Sequence, residues 1–548
     1  MKDPSAYAKL PFEVLDLICH MSDRQTLNSL QHVSRVWRQL SLPLLWKSID
    51  ISDWEYRASA DRVHAVYGRL VHTMEYRRCQ RRRGNSHSSS APASPQAVSG
   101  KTKTDILCEW LGMRWKNVRR VAIGAWPPYN IRRVQQVLAT CNPQLRVLIL
   151  EGAAAAWAET MQRAVTAHPH LQGLHITEDN RALLPPAADE HYKRSQVRFL
   201  FLSNGAGASL TQLTVPCIVE SAVQLLGQLS DLLPLLQTLD LRQVDAGAAS
   251  KLSINLPPML RHLKISGQYP LSMRMFGHPH GKATASALMA ASLHSLSVTG
   301  LRSEEAAWRE SDTFWTPILQ HKWALLTGLV IPVARPELSL LIGTNCSKLE
   351  RLQFIYAGSS INQQQNNLWA TKLTCLPQLR HLDIASSNNE YEGCSLSSRL
   401  VTGCIWKTQW LHSLYVSRLS LSTDALSALL RMLPYLHTLW FTFDAKPRTN
   451  DSLEQIGIDC RPVTQCRLQY LIIHAVITRD CNRSAAYTSE SDSEQTGSGP
   501  TNILSACLVG LPSVNKCRLP MFTFPDEQRH WLQCQFPRIN FKKYAPPY

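Results

Sequence analysis

No stretch of this chain is apolar for long enough to cross a bilayer. Its longest apolar runs, such as LQTLDL and LQYLIIHAVI, fall far short of the ~20 residues a spanning helix needs. The N-terminus, MKDPSAYAKLPF, lacks the apolar core of a secretory signal, so a cytoplasmic or nuclear setting is expected and no membrane partner. The 15 cysteines are scattered singly, with no C-x-x-C pair and no Cys/His grouping at zinc spacing; Cys460 and Cys466 are the nearest pair. A disulfide framework and a structural zinc site are not expected, and reduced thiols are. G-x-G-x-x-G and G-x-x-x-x-G-K-[ST] are missing, which removes the usual phosphate cradles. G-x-S-x-G and H-E-x-x-H are missing as well, and no spacing pairs a nucleophile with a base. The expectation is a chain that is not an enzyme and takes no cofactor or metal.

Negative charge is also scarce. Asp and Glu total 41 against 58 Lys and Arg, giving a net charge of +17. Seven cations (Arg77, Arg78, Arg81, Arg82, Arg83, Lys101, Lys103) lie within residues 77–103, which hold no Asp or Glu; removing them leaves +10, as 17 − 7. The remainder forms no stripe of alternating basic and aromatic residues, so a nucleic-acid partner is not expected. Residues 79–104, CQRRRGNSHSSSAPASPQAVSGKTKT, hold almost no apolar side chains and cannot offset the entropy of ordering, which predicts a disordered loop. Its basic cluster reads as a nuclear import signal, an anion-binding patch or a merely solvated run. A second such insertion is expected at 479–501, where Ser489, Ser491 and Ser493 alternate with Glu490, Asp492 and Glu494 in a context that suits a kinase.

Apolar residues make up 44% of the chain, enough for a sizeable core, and their order is most informative over residues 10–49. Pro11 suits a first helical turn, and Val14, Leu15, Leu17 and Ile18 follow at helical spacing. Ser22-Asp23 supplies a cap for a second helix bearing Leu27 and Leu30. A third helix is expected from Ser34 to Leu40, carrying Val36, Trp37 and Leu40 just after Val33; Pro43 closes it, and Leu44-Leu45-Trp46 packs back. Some forty residues cannot bury this much apolar surface alone, so several of these side chains must face a partner or the next domain.

Leu10-Pro11, Val33-x-x-Val36-Trp37 and Leu45-Trp46 in this order resemble the F-box, the helical module that docks a protein on the Skp-type adaptor of a cullin-based ubiquitin ligase. The resemblance implies adaptor contacts at Leu10, Pro11, Leu15, Ile18, Leu27, Leu30 and Val33, with Trp37, Leu40 and Trp46 in the module's core or against the next domain. Val33-Ser34-Arg35 stands where the family often has Val-Cys-Arg or Val-Ser-Lys.

Beyond residue 110 one phrase, Leu-x-x-Leu-x-apolar, keeps returning. Examples are NPQLRVLIL (142–150), HPHLQGLHI (168–176), LPLLQTLDL (233–241), PPMLRHLKI (257–265), LPQLRHLDI (376–384), WLHSLYV (410–416), LPYLHTLWF (433–441) and RLQYLII (467–473). NVRRVAI (117–123) and SVNKCRL (513–519) read as degraded end copies. The clean intervals are mostly about 23 to 33 residues, and helical stripes are expected between phrases, at 219–233 and 422–433. Phrase and period resemble leucine-rich repeats. Most copies lack the Asn or Cys that regular repeats place after the strand, so an irregular solenoid is expected.

The fold class is therefore α/β: a small all-helical F-box followed by parallel strands on a concave face with helices outside. The expected domains are the F-box at 1–55, a connecting helix and disordered loop at 56–104, and the solenoid at 105–548 with its insertion at 479–501. Strand alternation sends the residues between and after the two leucines to the concave face. Arg351, His381, Asp383, Tyr415, Trp440 and Tyr470 are the candidate target-binding residues, with Tyr415, Trp440 and Tyr470 expected side by side, either free or capped by the C-terminal FPRINFKKYAPPY. The resemblance implies a fungal-type substrate receptor of an SCF-type ligase, reaching a cullin through the adaptor and holding an unknown target. The alternative is a repeat scaffold with no ubiquitin-ligase role.

Overall fold

The computed structural model describes residues 10–51, 60–76, 103–112, 115, 117–124, 133, 136–138, 144–151, 165–177, 207–215, 228–242, 255–266, 279–299, 315–333, 337–356, 376–386, 394–396, 410–421, 433–444, 469–476, 516–518, 534 and 540–542. These fall in two compact units: Met1–Gln243 with Pro257–Leu260, and Val244–Leu256 with Arg261–Tyr548. The stretches expected to be disordered, 79–104 and 479–501, lie outside the described residues, except that Lys103 and Thr104 open a helix.

The first unit begins with three helices: α1 (Phe12–Met21), α2 (Arg24–Leu30) and α3 (Arg35–Trp46). Asp23 caps α2 by accepting from Thr26 N at 2.8 Å, and Ser34 caps α3 by accepting from Trp37 N at 3.4 Å. Helix α3 continues through Pro43 to Trp46, where a stop was expected. Proline removes one backbone bond, and the packing of Leu44 and Leu45 against the core offsets that loss.

Two short strands, β1 (Ser48–Asp50) and β2 (Thr73–Tyr76), flank helix α4 (Ala60–Tyr67). The parallel sheet thus starts well before residue 105, because β1 and β2 pair with each other and β2 pairs with β3 (Arg120–Gly124). The repeat phrase is present there in disguise: Val71 and Met74 stand where leucines are usual, and both are buried. Helix α5 (Lys103–Gly112) precedes β3, and the ladder continues through β4 (Val147–Glu151), β5 (Gly173–Thr177), β6 (Gln212–Val215) and β7 (Thr238–Leu241), all parallel and in chain order.

The second unit repeats the plan with β8 (His262–Ser266), β9 (Ser295–Thr299), β10 (Gly328–Val333), β11 (Arg351–Tyr356), β12 (His381–Ser386), β13 (Cys394–Leu396), β14 (Ser413–Leu421), β15 (Thr438–Asp444), β16 (Tyr470–Val476), β17 (Lys516–Arg518) and β18 (Asn540–Lys542). These also pair parallel and in chain order, save that β14 takes both β12 and the short β13. The expected helical stripes lie mostly outside the described residues, although Leu229–Leu232 forms one helical turn.

Each phrase becomes the same structure for the same reason. The two leucines and the last apolar residue turn inward, as Leu236, Leu239 and Leu241 do in the first unit and Leu326, Leu329 and Ile331 in the second. Burying each leucine contributes roughly 1.5–3 kcal/mol. A turn precedes many of the strands: Leu236 N donates to Leu233 O, Leu379 N to Leu376 O and Leu436 N to Leu433 O. The prolines at 234, 377 and 434 hold the second position of those turns, where a fixed φ helps and no N–H is needed. Between strands one carbonyl accepts two N–H groups: Arg119 O from Arg146 and Val147, and Glu350 O from Arg380 and His381. This shared acceptor sets the register repeat after repeat.

Indole N–H groups close two helix ends. Trp115 Nε1 donates to Trp110 O at 2.6 Å at the end of α5, and Trp323 Nε1 donates to Ile318 O at 2.8 Å after the helix at 315–320. Each adds a donor to a carbonyl in the last turn of a helix, and Ile318 O also accepts from His321 N at 3.3 Å.

Candidate functional site

Helix α1 is apolar around most of its circumference, and only one side of it is used within the chain. Leu15 and Cys19, four residues apart, join Leu27 and Leu40 in the core, with Leu30, Trp37, Leu44 and Leu45 packed on them. Val14, Leu17, Ile18 and Met21 follow the i, i+3, i+4, i+7 rule of a second stripe, and that stripe faces solvent. Met21 is 80% exposed, Val33 in the turn after α2 is 65% exposed and Phe12 is 57% exposed. Leu10, Pro11 and Val36 are exposed as well. A contiguous apolar stripe in water marks a place where something docks.

The residues expected to contact an adaptor therefore divide. Leu10, Pro11, Ile18 and Val33 are presented to solvent. Leu15 and Leu27 are not: their side chains are occupied in the module's own core, and Leu30 is half-buried against it. Phe12, Leu17 and Met21 are exposed as well and were not among the expected contacts. The i, i+3, i+4 signal was there to find them, but on a helix with two apolar stripes it does not say which stripe goes inside. Leu40 sits in the core with Trp37 against it, and Trp46 stacks on Tyr67 of α4 with ring centroids 3.8 Å apart.

The exposed sheet face of the second unit carries the other candidates. In-register pairing makes one row of Gln353, Asp383, Tyr415, Trp440 and Ile472 and a second of Arg351, His381, Ser413, Thr438 and Tyr470. Tyr415 and Trp440 meet edge to face, with centroids 5.6 Å apart and planes at 82°. Tyr470 does not join them as expected. It aligns with Thr438, in the neighbouring row, because its repeat places tyrosine two positions earlier in the strand. Two further ring pairs bridge the segments leading into β14 and β15: Trp410 on Tyr435 (4.9 Å) and His412 on His437 (5.3 Å).

Charge on this face is set by burial and by neighbours. Burial pushes the Asp383 carboxyl up to about 6. Burial, then Arg351, His412 and Arg380, hold His381 below its ordinary value. In the first unit His175 is held low mainly by burial; its ring is 2.8 Å from Thr214 Oγ1, while Arg242 donates to Asp240 at 3.0 Å. At the strand starts of that unit Lys47, Arg119, Arg120 and Arg146 are all exposed, a positive edge that composition alone did not locate.

Among the described residues no three His, Cys, Asp or Glu side chains are grouped to hold a metal ion. No helix among them is long and apolar enough to cross a membrane. Cys19, Cys108 and Cys346 are buried free thiols, and burial lifts Cys346 to about 12.

Comparison with known proteins agrees with the N-terminal geometry. Residues 7–52 match the F-box-like family. No curated protein matches the chain. Solved structures with some likeness include the yeast complex of Rad7 and Elc1, at 13% identity and a TM-score of 0.36, covering 87% of this chain and 92% of that one. Another is a leucine-rich-repeat protein of Leptospira interrogans, at 12% identity and a TM-score of 0.26, covering 78% and 96%. The Leu-x-x-Leu-x-apolar phrase builds a parallel ladder in each unit, and its N-terminal helices carry the matched module. Residues 7–52 match an F-box-like domain, and the Leu-x-x-Leu-x-apolar phrase recurs as parallel strands in each of the two units of the chain.

Proposed function

We propose that this chain is the substrate receptor of an SCF-type cullin–RING ubiquitin ligase. The observation that carries the reading is the solvent-facing apolar stripe of α1 within the F-box-like module. Phe12, Leu17, Ile18, Met21 and Val33, with Leu10 and Pro11, dock a Skp-type adaptor, which connects the chain to a cullin. An amphipathic helix laid in an apolar groove gains its affinity from such anchors at i, i+3, i+4 and i+7. The exposed sheet face of the second unit, with Arg351, His381, Asp383, Tyr415 and Trp440, holds a target protein.

The mechanism is proximity and needs no chemistry on this chain. Tethering the target near the charged ubiquitin carrier makes the encounter effectively intramolecular, and the effective concentration rises to the millimolar range, ~1 mM for a short flexible link. The test is reconstitution of purified chain with adaptor, cullin and RING subunits. A stable complex that the Met21→Glu/Val33→Glu variant fails to form is the expected result. A folded wild-type chain that binds no adaptor overturns the reading.

A further inference from the structure

Asp383 occupies an unusual position. It lies between Gln353 and Tyr415 in the row Gln353–Asp383–Tyr415–Trp440, and all four residues are half-buried. Among the described residues it has neither a hydrogen bond nor an ion pair. The nearest cation by register, Arg351, opens β11 and aligns with His381 instead. Its lateral neighbours are the Gln353 amide and the Tyr415 ring, and beyond Tyr415 stands the edge-to-face indole of Trp440.

Burying a carboxylate without a partner destabilises a fold, and a raised ionisation point, here about 6, is the sign of that cost. The inward side of this repeat serves the fold: Leu379 and Leu382 fill the core, and the Leu376–Leu379 turn sets up the strand. A group that breaks this pattern at a cost, beside two aromatic rings, fits a counter-charge that arrives from outside.

We propose that Asp383, Tyr415 and Trp440 form a receptor for a cationic side chain, Lys or Arg, on a target protein. The carboxylate supplies the charge, and the ring faces attract the ammonium or guanidinium through their quadrupoles. The methylene stem of the incoming side chain lies along the rings while its head reaches Asp383, and the Gln353 carbonyl oxygen accepts a further hydrogen bond from it. An acidic occupant would meet Asp383 as a like charge, and an apolar one would bury the carboxylate still further without a partner. That the occupant is a ubiquitination target rests on the function proposed above; cation binding itself does not.

The test uses the full-length chain at neutral pH against immobilised Gly/Ser peptides carrying one central Lys, Arg, Gln or Glu. Wild type is expected to retain the Lys and Arg peptides at least about tenfold better than the Gln peptide. Asp383→Asn abolishes the preference, Tyr415→Leu weakens it by roughly threefold, and Asp240→Asn in the first unit leaves it unchanged. Non-specific retention by a chain of net charge +17 runs the other way, toward the Glu peptide. Equal retention of Lys and Gln peptides, a preference for Glu, or an unchanged preference in Asp383→Asn overturns the proposal. Adaptor binding on the same preparations keeps the two readings apart. A lost Lys preference with adaptor binding intact removes the cation site alone; a kept preference without adaptor binding removes the ligase role and supports the site.

Discussion

The Trp46 indole lies flat on the Tyr67 phenol, ring centroids 3.8 Å apart and planes within 7°. Trp46 is the last residue of α3, and Tyr67 ends α4, beside the first two strands of the sheet. The F-box-like module has four residues in its buried core, Leu15, Cys19, Leu27 and Leu40, too few for a stable fold by themselves. Stacking ties the module to the sheet behind it. Trp46→Ala should lower the unfolding midpoint, and a double-mutant cycle with Tyr67→Ala should return a coupling of about 1 kcal/mol. Additive single variants would show that the rings touch without stabilising each other.

The two stripes of α1 should separate stability from binding. Leu15→Ala and Leu27→Ala each remove a buried side chain, so a loss of about 2–4 kcal/mol is expected in denaturant unfolding. Leu17→Glu and Met21→Glu alter exposed positions and should unfold within about 0.5 kcal/mol of wild type. Equal destabilisation by both sets would mean the outer stripe is packed against the chain itself.

Asp383 gives a pH signature. Its folded-state carboxyl ionises near 6, against ~3.9 in an unfolded chain, so between these values the folded state holds more protons. Its contribution to stability is therefore lost as pH rises through that window. Asp383→Asn should raise stability above pH ~6 and make little difference below pH ~4. Water reaches part of the side chain and screens the penalty, leaving a gain of about 1 kcal/mol at neutral pH. A variant that is destabilising at neutral pH would mean that Asp383 has a partner within the chain.

Thiol reactivity reports on the repeat core. Cys346 is fully buried, and burial lifts its thiol to about 12, so almost no thiolate exists at neutral pH. Native-state alkylation mapped by mass spectrometry should leave Cys346 unmodified while exposed Cys534 reacts. Rapid labelling of Cys346 under native conditions would show that this repeat opens locally.

Much of the fold was legible because burial imposes a period. Every intact Leu-x-x-Leu-x-apolar phrase became a strand, and even the degraded NVRRVAI and SVNKCRL did so. The strands at Ser48–Asp50 and Thr73–Tyr76 escaped notice because Ile49, Val71 and Met74 fill the same inward positions without a leucine. Core volume tolerates such exchanges, and a pattern search does not. Pro43 was misleading for a different reason: losing one backbone bond is local, and Leu44 and Leu45 carry the helix past it. At the candidate site, periodicity showed that α1 was apolar but not which stripe faced inward, because α3 and its Leu40 decide that. On the sheet face, strand alternation placed Tyr470 at an outward position, but it holds the first such position of its phrase where Tyr415 and Trp440 hold the second, so the ladder register pairs it with Thr438.

The central claim is that the outer stripe of α1 docks an adaptor. Its most direct test is a titration of purified full-length chain with a Skp-type adaptor by calorimetry, comparing wild type with Leu17→Glu/Met21→Glu. Wild type is expected to bind at micromolar affinity or tighter, about −8 kcal/mol, and the folded variant at least about tenfold more weakly. No binding by folded wild type, or equal binding by both, would contradict the account.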